Sequence, residues 1–266
     1  MSDLLFLMVR LTEILLGVNL VIQALEYLSL IDETGDQGVW SYSRQKNDLT
    51  PAPKWIIDLF GVLSQPKIYR IHLLIRLGLS IYLIVFGGSL PLIAFLTFST
   101  LQTLIRWRGA FNGGSDFMTI VVLTGCLIGA SGAVFGETEL FWRAGLMYIA
   151  IHAASSYVIS GGVKFLAPEW RSGRALSIFL DQSLHGPLAP NSPFRSAKIA
   201  FICAWAFILW EVSIALALLD PKLMILFCLA GFIFHFLVYW YFGLNRFFFT
   251  WISTFPALYF LSTQLL

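Results

Sequence analysis

The sequence predicts an all-α membrane protein, a polytopic transmembrane helical bundle of about eight spans with two further amphipathic helices at the membrane surface. Of the 266 residues, 58% are hydrophobic and only 12% are charged, whereas soluble domains carry roughly 25% charged residues. The apolar residues form runs of about 20, the length that an α-helix needs to cross the hydrocarbon core of a bilayer. A soluble chain of this length has no single core that would bury so much apolar surface.

Eight apolar segments are the predicted spans. They are residues 4–30, 71–87, 90–106, 116–135, 142–164, 197–219, 222–243 and 246–265. The second and third are short and nearly contiguous, so they form either a tight hairpin or a re-entrant pair, and a count of seven or nine stays open. The first is predicted to be a span rather than a cleaved signal peptide, because it lacks a basic start and a small-residue cleavage site.

Two longer connections carry the predicted surface helices. In the connection 31–70 the segment 55–63 is apolar, and in the connection 165–196 the segment 171–180 is amphipathic. Both features are typical of helices that lie in the plane of the membrane interface. Neither connection has room for a soluble domain, so residues 1–266 are predicted to form a single transmembrane domain.

Lys and Arg residues are distributed unevenly between the two sides of the predicted bundle. One side holds only Arg143 and Lys222. The other holds Arg44, Lys46, Lys54, Lys67, Arg70, Arg106, Arg108, Lys164, Arg171, Arg174, Arg195, Lys198 and Arg246. Because basic residues are retained in cytoplasmic connections, we expect a multi-pass protein of the cell membrane with both termini facing outward. The net charge of +2 and the lack of a basic stripe predict the lipid bilayer, and no nucleic acid, as partner.

Several ionisable residues lie inside the predicted spans, where they are costly and mark either a site or a structural pair. His152, Glu211 and His235 lie near the middle of the fifth, sixth and seventh spans and suggest a polar interior pocket. The alternative is a set of interhelical hydrogen bonds that fix the packing. Arg10 and Glu13 in the first span are three residues apart and can pair. The sequence has no HExxH motif and no His pair four residues apart, so no metal is expected.

Two other sets of residues are predicted to have structural roles. His72 and Arg76 lie one turn into the second span and are expected to extend to the membrane interface. Cys126, Cys203 and Cys228 all lie in apolar runs without a CxxC pair, which indicates buried small side chains rather than a redox or metal site.

The first of two unusual motifs leads into the fourth span. Asn112, Gly113 and Gly114 are typical of a tight turn with exposed backbone amides, and Ser115 or Asp116 can cap the helix that follows. Free N–H groups at a helix start attract anions and polar ligand oxygens. An ordinary capped turn is the simpler interpretation of this motif alone.

The second motif lies at the end of the fifth span. Residues 160–162 are Ser-Gly-Gly, and small residues allow close helix approach. Tyr157 and Lys164 are seven residues apart and therefore share one helix face, and Trp170 follows as an interfacial anchor. Lys164 either extends to the membrane surface or points into the bundle.

Taken together, the two motifs resemble the horizontally transferred transmembrane (HTTM) domain, the membrane part shared with vitamin K-dependent gamma-carboxylase. The family pattern is a Gly-Gly-Asp-like turn that opens one span, then a Tyr-x-x-small-Gly-x-x-Lys segment followed by Trp-x-x-Gly. A later span carries Phe-His, which is matched here by Phe234 and His235. The resemblance covers roughly residues 70–266.

The resemblance implies a chemistry and assigns residues to it. In the carboxylase a lysine deprotonates a reduced quinone, which reacts with O2 to give the strong base that starts glutamate carboxylation. Lys164 falls at the position of that lysine, and His235 is the second candidate catalytic residue. The cofactor implied is a quinone such as a vitamin K-type hydroquinone, and a small peptide or protein is an implied partner. The candidate substrate- or cofactor-binding residues are Asn112, Gly113, Gly114, Asp116, Tyr157, Trp170, His152 and Glu211.

Two other functions stay open at this point. The carboxylase has a large extramembrane domain that helps to bind its protein substrate, and this sequence shows no such domain. That departure favours a non-catalytic membrane partner in the maturation or export of a peptide or redox protein. The ionisable residues inside the spans favour a small-solute transporter.

Overall fold

The computed structural model describes residues 1–107 and 114–265, and every long element in these two ranges is an α-helix, as predicted. The helices are α1 (Asp3–Ser29), α2 (Tyr42–Gln45), α3 (Lys54–Leu63), α4 (Pro66–Phe86), α5 (Leu90–Trp107), α6 (Ser115–Phe135), α7 (Thr138–Leu166), α8 (Pro168–Arg171), α9 (Arg174–Leu180), α10 (Ala197–Val212), α11 (Ile214–Ala217), α12 (Pro221–Phe242), α13 (Asn245–Ile252) and α14 (Phe255–Gln264).

Six helices in the described part of the chain are long and apolar enough to cross a membrane, namely α1, α4, α5, α6, α7 and α12. They coincide with the first five predicted spans and the seventh, and the prediction of a multi-pass helical protein is confirmed to this extent. The sixth predicted span is divided at Ser213 into α10 and α11, and the eighth is divided at Ser253 and Thr254 into α13 and α14. The count of eight spans stays a prediction.

Side-chain hydrogen bonds occur at both divisions, and at the second Pro256 of α14 also lacks the N–H group that would continue the helix. The hydroxyl of Ser213 donates to the carbonyl of Trp210 over 2.7 Å, and that of Thr254 donates to the carbonyl of Trp251 over 2.7 Å. Bonds of this kind compete with the backbone ladder and bend a helix. A hydropathy pattern does not reveal these bonds, which is why the division at Ser213 was missed, whereas Pro256 is a helix-breaking residue visible in the eighth predicted span.

The first predicted surface helix is present as α3. Trp55, Leu59 and Val62 lie along one face of it and are exposed. An exposed apolar face on a short helix suits the membrane interface. The second predicted surface helix corresponds to α8 and α9, which are separated by a left-handed Gly173.

The segment between α4 and α5 is a short turn joining two long helices. It is held by α1, because a carboxylate oxygen of Glu13 accepts a hydrogen bond from the N–H of Gly88 over 2.9 Å. Arg10 pairs with Glu13 as predicted and donates to the carbonyl of Ile84 over 3.0 Å. The carbonyl of Ile84, one of the last four of α4 and without a partner in its own helix, is thus satisfied by a side chain of α1.

Helices α6 and α7 pack with their backbones in direct contact. A Cβ atom at Gly145 would lie 2.2 Å from the carbonyl oxygen of Gly125, and a Cβ atom at Gly129 would lie 2.1 Å from the ring of Trp142. Only glycine permits this separation. The contact fixes α7, which carries the second sequence motif.

Candidate functional site

A cavity of about 730 Å³ lies between α9, α10, α12 and the end of α7. Its volume falls in the range of sites that hold small organic ligands. Almost all of its wall is apolar or aromatic, and among the described lining residues Lys164 is the charged one. The lining residues are Lys164, Trp170, Leu176, Phe179, Leu180, Gln182, Phe194, Cys203, Phe207, Phe234, Leu237, Val238, Tyr241, Phe242 and Leu244.

The ammonium group of Lys164 is held by three hydrogen bonds. Its Nζ atom donates to both carboxylate oxygens of Glu211, over 2.6 and 2.7 Å, and to the hydroxyl of Ser160 over 2.6 Å. The Ser160 hydroxyl in turn donates to Glu211 over 3.0 Å. The Nζ atom also lies 5.4 Å from the ring centre of Trp170, a cation–π contact.

Lys164 therefore points toward α10. Glu211 lies about 20 Å along α10 from the first residue of that helix. Its side chain is 5% exposed and that of Lys164 is 18% exposed. The two charges are largely removed from solvent, where an ion pair needs good geometry and additional hydrogen bonds to be stable.

The sequence positions this pair through helix periodicity and one close contact. Ser160 and Lys164 are four residues apart and share one face of α7. Gly161 allows α10 to approach that face, because a Cβ atom there would lie 2.8 Å from Val212 Cγ1 and 3.0 Å from Glu211 Cβ. At the neighbouring Gly162 a Cβ atom would meet nothing within 4 Å.

We expect Gly161→Ala to lower stability and Gly162→Ala to leave it unchanged or slightly raised. The first substitution forces α7 and α10 apart, at a cost of about 1–3 kcal/mol for overpacking. The second adds a methyl group in open space and removes the helix penalty of glycine, about 1 kcal/mol. Thermal unfolding of the two purified variants in the same detergent checks this, and equal stability of the two would contradict the close contact.

Tyr157 and His235 form a second hydrogen-bonded pair in the same region. The Tyr157 hydroxyl and His235 Nε2 are 2.7 Å apart, and both residues are buried. The ring of His235 is stacked on that of Trp251, with centroids 5.4 Å apart. Neither Tyr157 nor His235 lines the cavity. Their pairing is a hydrogen bond between two helices, which is the kind of contact left open for His235 as the alternative to a pocket.

His152 does not join these residues, and the prediction of an interior pocket shared by three spans is wrong for it. Its side chain is exposed on the outer surface of α7, and its Nδ1 atom lies 3.0 Å from the carbonyl oxygen of Tyr148. The reason is helix geometry, because five residues place His152 about 140° around the helix from Tyr157.

The first motif contributes to a different cluster. Asn112 and Gly113 lie outside the described residues. Gly114 has φ +30° and precedes α6. The carboxylate of Asp116, which does not line the cavity, accepts a hydrogen bond from Arg246 over 3.0 Å.

Arg246 is the centre of that cluster and was treated in the sequence only as a basic residue near the membrane surface. It is 1% exposed, and its Nε atom lies 3.0 Å from a carboxylate oxygen of Glu26. It also donates to the hydroxyl of Tyr27. We call Glu26, Tyr27, Asp116 and Arg246 the Arg246 cluster.

Arg76 was expected at the membrane interface and is instead fully buried. It donates to Gln23 Oε1 over 2.7 Å, and to the hydroxyls of Ser99 and Thr100 over 2.9 Å each. The Nε2 atom of His72 lies 2.8 Å from the same Ser99 hydroxyl, and His72 is buried as well. The expectation is wrong because polar side chains of α1 and α5 provide partners that a single helix does not reveal.

Fold and site together define a multi-pass helical membrane protein with a largely apolar cavity and an ion pair at its wall. Within the described ranges no three His, Cys, Asp or Glu side chains are grouped so that they could hold a metal ion. No family model matches the chain, and neither a curated protein nor a solved structure matches it.

Proposed function

We propose that the protein binds a lipid-soluble ligand of the quinone class in the cavity, and that Lys164 and Glu211 exchange a proton with its polar head. The observation that carries the proposal is the ammonium group of Lys164 at the wall of a cavity whose other described lining is nearly all apolar, paired with Glu211, which does not itself line the cavity. The proposal retains the function implied by the HTTM resemblance, a quinone-dependent oxidoreductase or carboxylase-like enzyme, and replaces a lone lysine base by a lysine–glutamate pair.

The residues of the cavity fit a quinone. Its volume of about 730 Å³ accommodates a substituted ring and the first part of an apolar tail. Trp170, Phe207 and Phe234 offer aromatic surfaces against which a planar ring can stack. Lys164 offers an N–H donor to a carbonyl or hydroxyl oxygen once a ligand displaces one of its three present acceptors.

The ion pair can act as a general base without a permanently neutral lysine. A quinol, when bound, supplies a weakly acidic hydroxyl group. Lys164 Nζ can pass a proton to Glu211, 2.6 Å away, and the resulting amine can accept a proton from an oxygen in the cavity. The net change is that Glu211 gains one proton and the quinol oxygen loses one. Lys164 ends as a charged ammonium group and stabilises the negative charge left on the quinol oxygen.

We propose a location in the cell membrane with both termini facing outward, on the basis of the uneven distribution of Lys and Arg. A peptide or protein substrate belongs to the same proposal. The transporter alternative loses support, because Glu211 and His235 both have hydrogen-bond partners and His152 faces outward.

Lys164→Met is expected to reduce quinone affinity by about tenfold to a hundredfold, since a hydrogen bond from a charged donor contributes about 1.5–3 kcal/mol. The purified protein in detergent is incubated with a short-chain ubiquinone or menaquinone analogue and passed over a desalting column. Retained quinone is then extracted and quantified by absorbance.

Lys198→Met is the matched control, because Lys198 lies at the start of α10 and is exposed. Lys164→Met/Glu211→Gln removes both charges and replaces the single variant if the unpaired Glu211 prevents folding. A wild-type protein that retains no quinone, or an equal loss in the Lys198 variant, would show that the cavity is not a quinone site.

A further inference from the structure

The polar part of the cavity wall is electrically neutral. All three N–H groups of the Lys164 ammonium are used, two by Glu211 and one by Ser160. The negative charge of Glu211 lies within 2.7 Å of the positive charge of Lys164, so the two fields largely cancel at the distance of a ligand. The other described lining residues with polar groups, Gln182, Tyr241 and Trp170, carry no charge.

A neutral wall discriminates between ligands by their charge. An anionic head that enters a largely apolar cavity loses its hydration, and it recovers that cost only if it meets an uncompensated cation. Lys164 is already compensated by Glu211. A neutral head with a carbonyl or hydroxyl oxygen loses much less hydration and needs to exchange only one hydrogen bond with Lys164.

We infer that Glu211 sets the charge selectivity of the cavity, so that it accepts neutral amphiphiles with an oxygen-bearing head and rejects fatty acids and phospholipids. The inference rests on the proposed function only in placing the ligand in this cavity. The inference names the class of head group that the cavity accepts, which is neutral. A lysine acting alone would select anions instead, because an uncompensated ammonium group in an apolar wall attracts them.

The selectivity has a physical use in a bilayer. The exposed apolar faces of α10 and α12 beside the cavity include Ile202, Ile233 and Leu237, so bulk lipid surrounds the site at far higher concentration than a minor ligand. Phospholipids carry a phosphate, and the compensated Lys164 gives that phosphate no net attraction. A neutral amphiphile therefore competes with bulk lipid by head-group chemistry as well as by shape.

The test uses two ligands with the same chain and different heads, oleyl alcohol and oleate, at an alkaline pH at which oleate is ionised. The wild type and Glu211→Gln are reconstituted in phosphatidylcholine nanodiscs. Ligand occupancy is measured as protection of Cys203, which lines the cavity, against a membrane-permeant maleimide, with peptide mass spectrometry as the readout. Cys228 does not line the cavity and serves as the reference thiol in the same molecule.

We expect oleyl alcohol to protect Cys203 of the wild type at a concentration about tenfold lower than oleate, and Glu211→Gln to reverse this order. Lys164→Met/Glu211→Gln, which removes both charges, is expected to keep the preference for the alcohol. The comparison within the wild type needs no variant and stands even if Glu211→Gln does not fold.

The outcomes separate this inference from the proposed function. Equal protection of the wild type by both ligands, or a Glu211→Gln protein that still prefers the alcohol, overturns the role of Glu211 while quinone binding can stand. Protection by oleyl alcohol but not by a quinone analogue supports the charge selectivity and removes the quinone proposal. If neither ligand protects Cys203 of the wild type, the proposed charge selectivity is overturned.

Discussion

Replacing Gly145 by valine is expected to prevent the bundle from packing. A Cβ atom at this position would lie 2.2 Å from the carbonyl oxygen of Gly125, far inside van der Waals contact. The obstacle is backbone, which has no alternative rotamer, so α6 and α7 must move apart along their whole contact. We expect a loss of at least ~3 kcal/mol, the upper end of what overpacking costs, seen as aggregation or a strongly lowered melting temperature in detergent.

Gly78→Val is the control for this substitution. Gly78 lies in the transmembrane helix α4, and a Cβ atom there would meet nothing within 4 Å. The two variants make the same chemical change in a spanning helix and differ in what surrounds it. If both proteins elute as monodisperse particles with the same melting temperature, the backbone contact between α6 and α7 does not stabilise the packing of these two helices.

Removing the cation of the Arg246 cluster is the second substitution with a large expected effect. Arg246→Met leaves the carboxylate of Asp116, whose side chain is 8% exposed, without its 3.0 Å partner. Breaking a buried ion pair on one side costs about 3–5 kcal/mol, because an uncompensated charge stays behind. The melting temperature of the purified protein is expected to fall accordingly, or the protein not to accumulate in the membrane.

A double-mutant cycle separates the charge from the volume of the side chain. Asp116→Asn in the Arg246→Met background removes the more deeply buried of the two carboxylates that have lost Arg246 and is expected to restore part of the stability. Arg171→Met, at an exposed position of α8, is expected to change the melting temperature little. Absence of any rescue by Asp116→Asn would mean that the unpaired charge of Asp116 is not the cause of the loss.

The six helices long enough to cross a membrane followed from the sequence to within about five residues at each end. The predicted span 90–106 is Leu90–Trp107, and the predicted span 116–135 is Ser115–Phe135. Long apolar runs ended by glycine, proline or polar residues determine where a spanning helix begins and ends. The pair of Arg10 and Glu13 was predicted because both residues lie in one helix, where a spacing of three residues fixes the distance between their side chains.

The partners of the site residues could not be predicted from the sequence. Lys164 and Glu211 are 47 residues apart in the chain, and periodicity assigns each to a helix face without saying which faces meet. For the same reason Arg76 was expected to extend to the interface. The cavity is formed by a surface helix, α9, that folds back over α10 and α12, and no pattern within one segment predicts such docking.

The order in which the chain is synthesised bears on the Arg246 cluster. Glu26 and Asp116 belong to the first and fourth predicted spans, and their cation follows Asp116 by 130 residues. Each carboxylate therefore reaches the membrane during translation long before its counter-ion exists. In the folded chain the cluster is complete only when α13 has docked against α1 and α6, so its ion pairs tie the last part of the chain to the first.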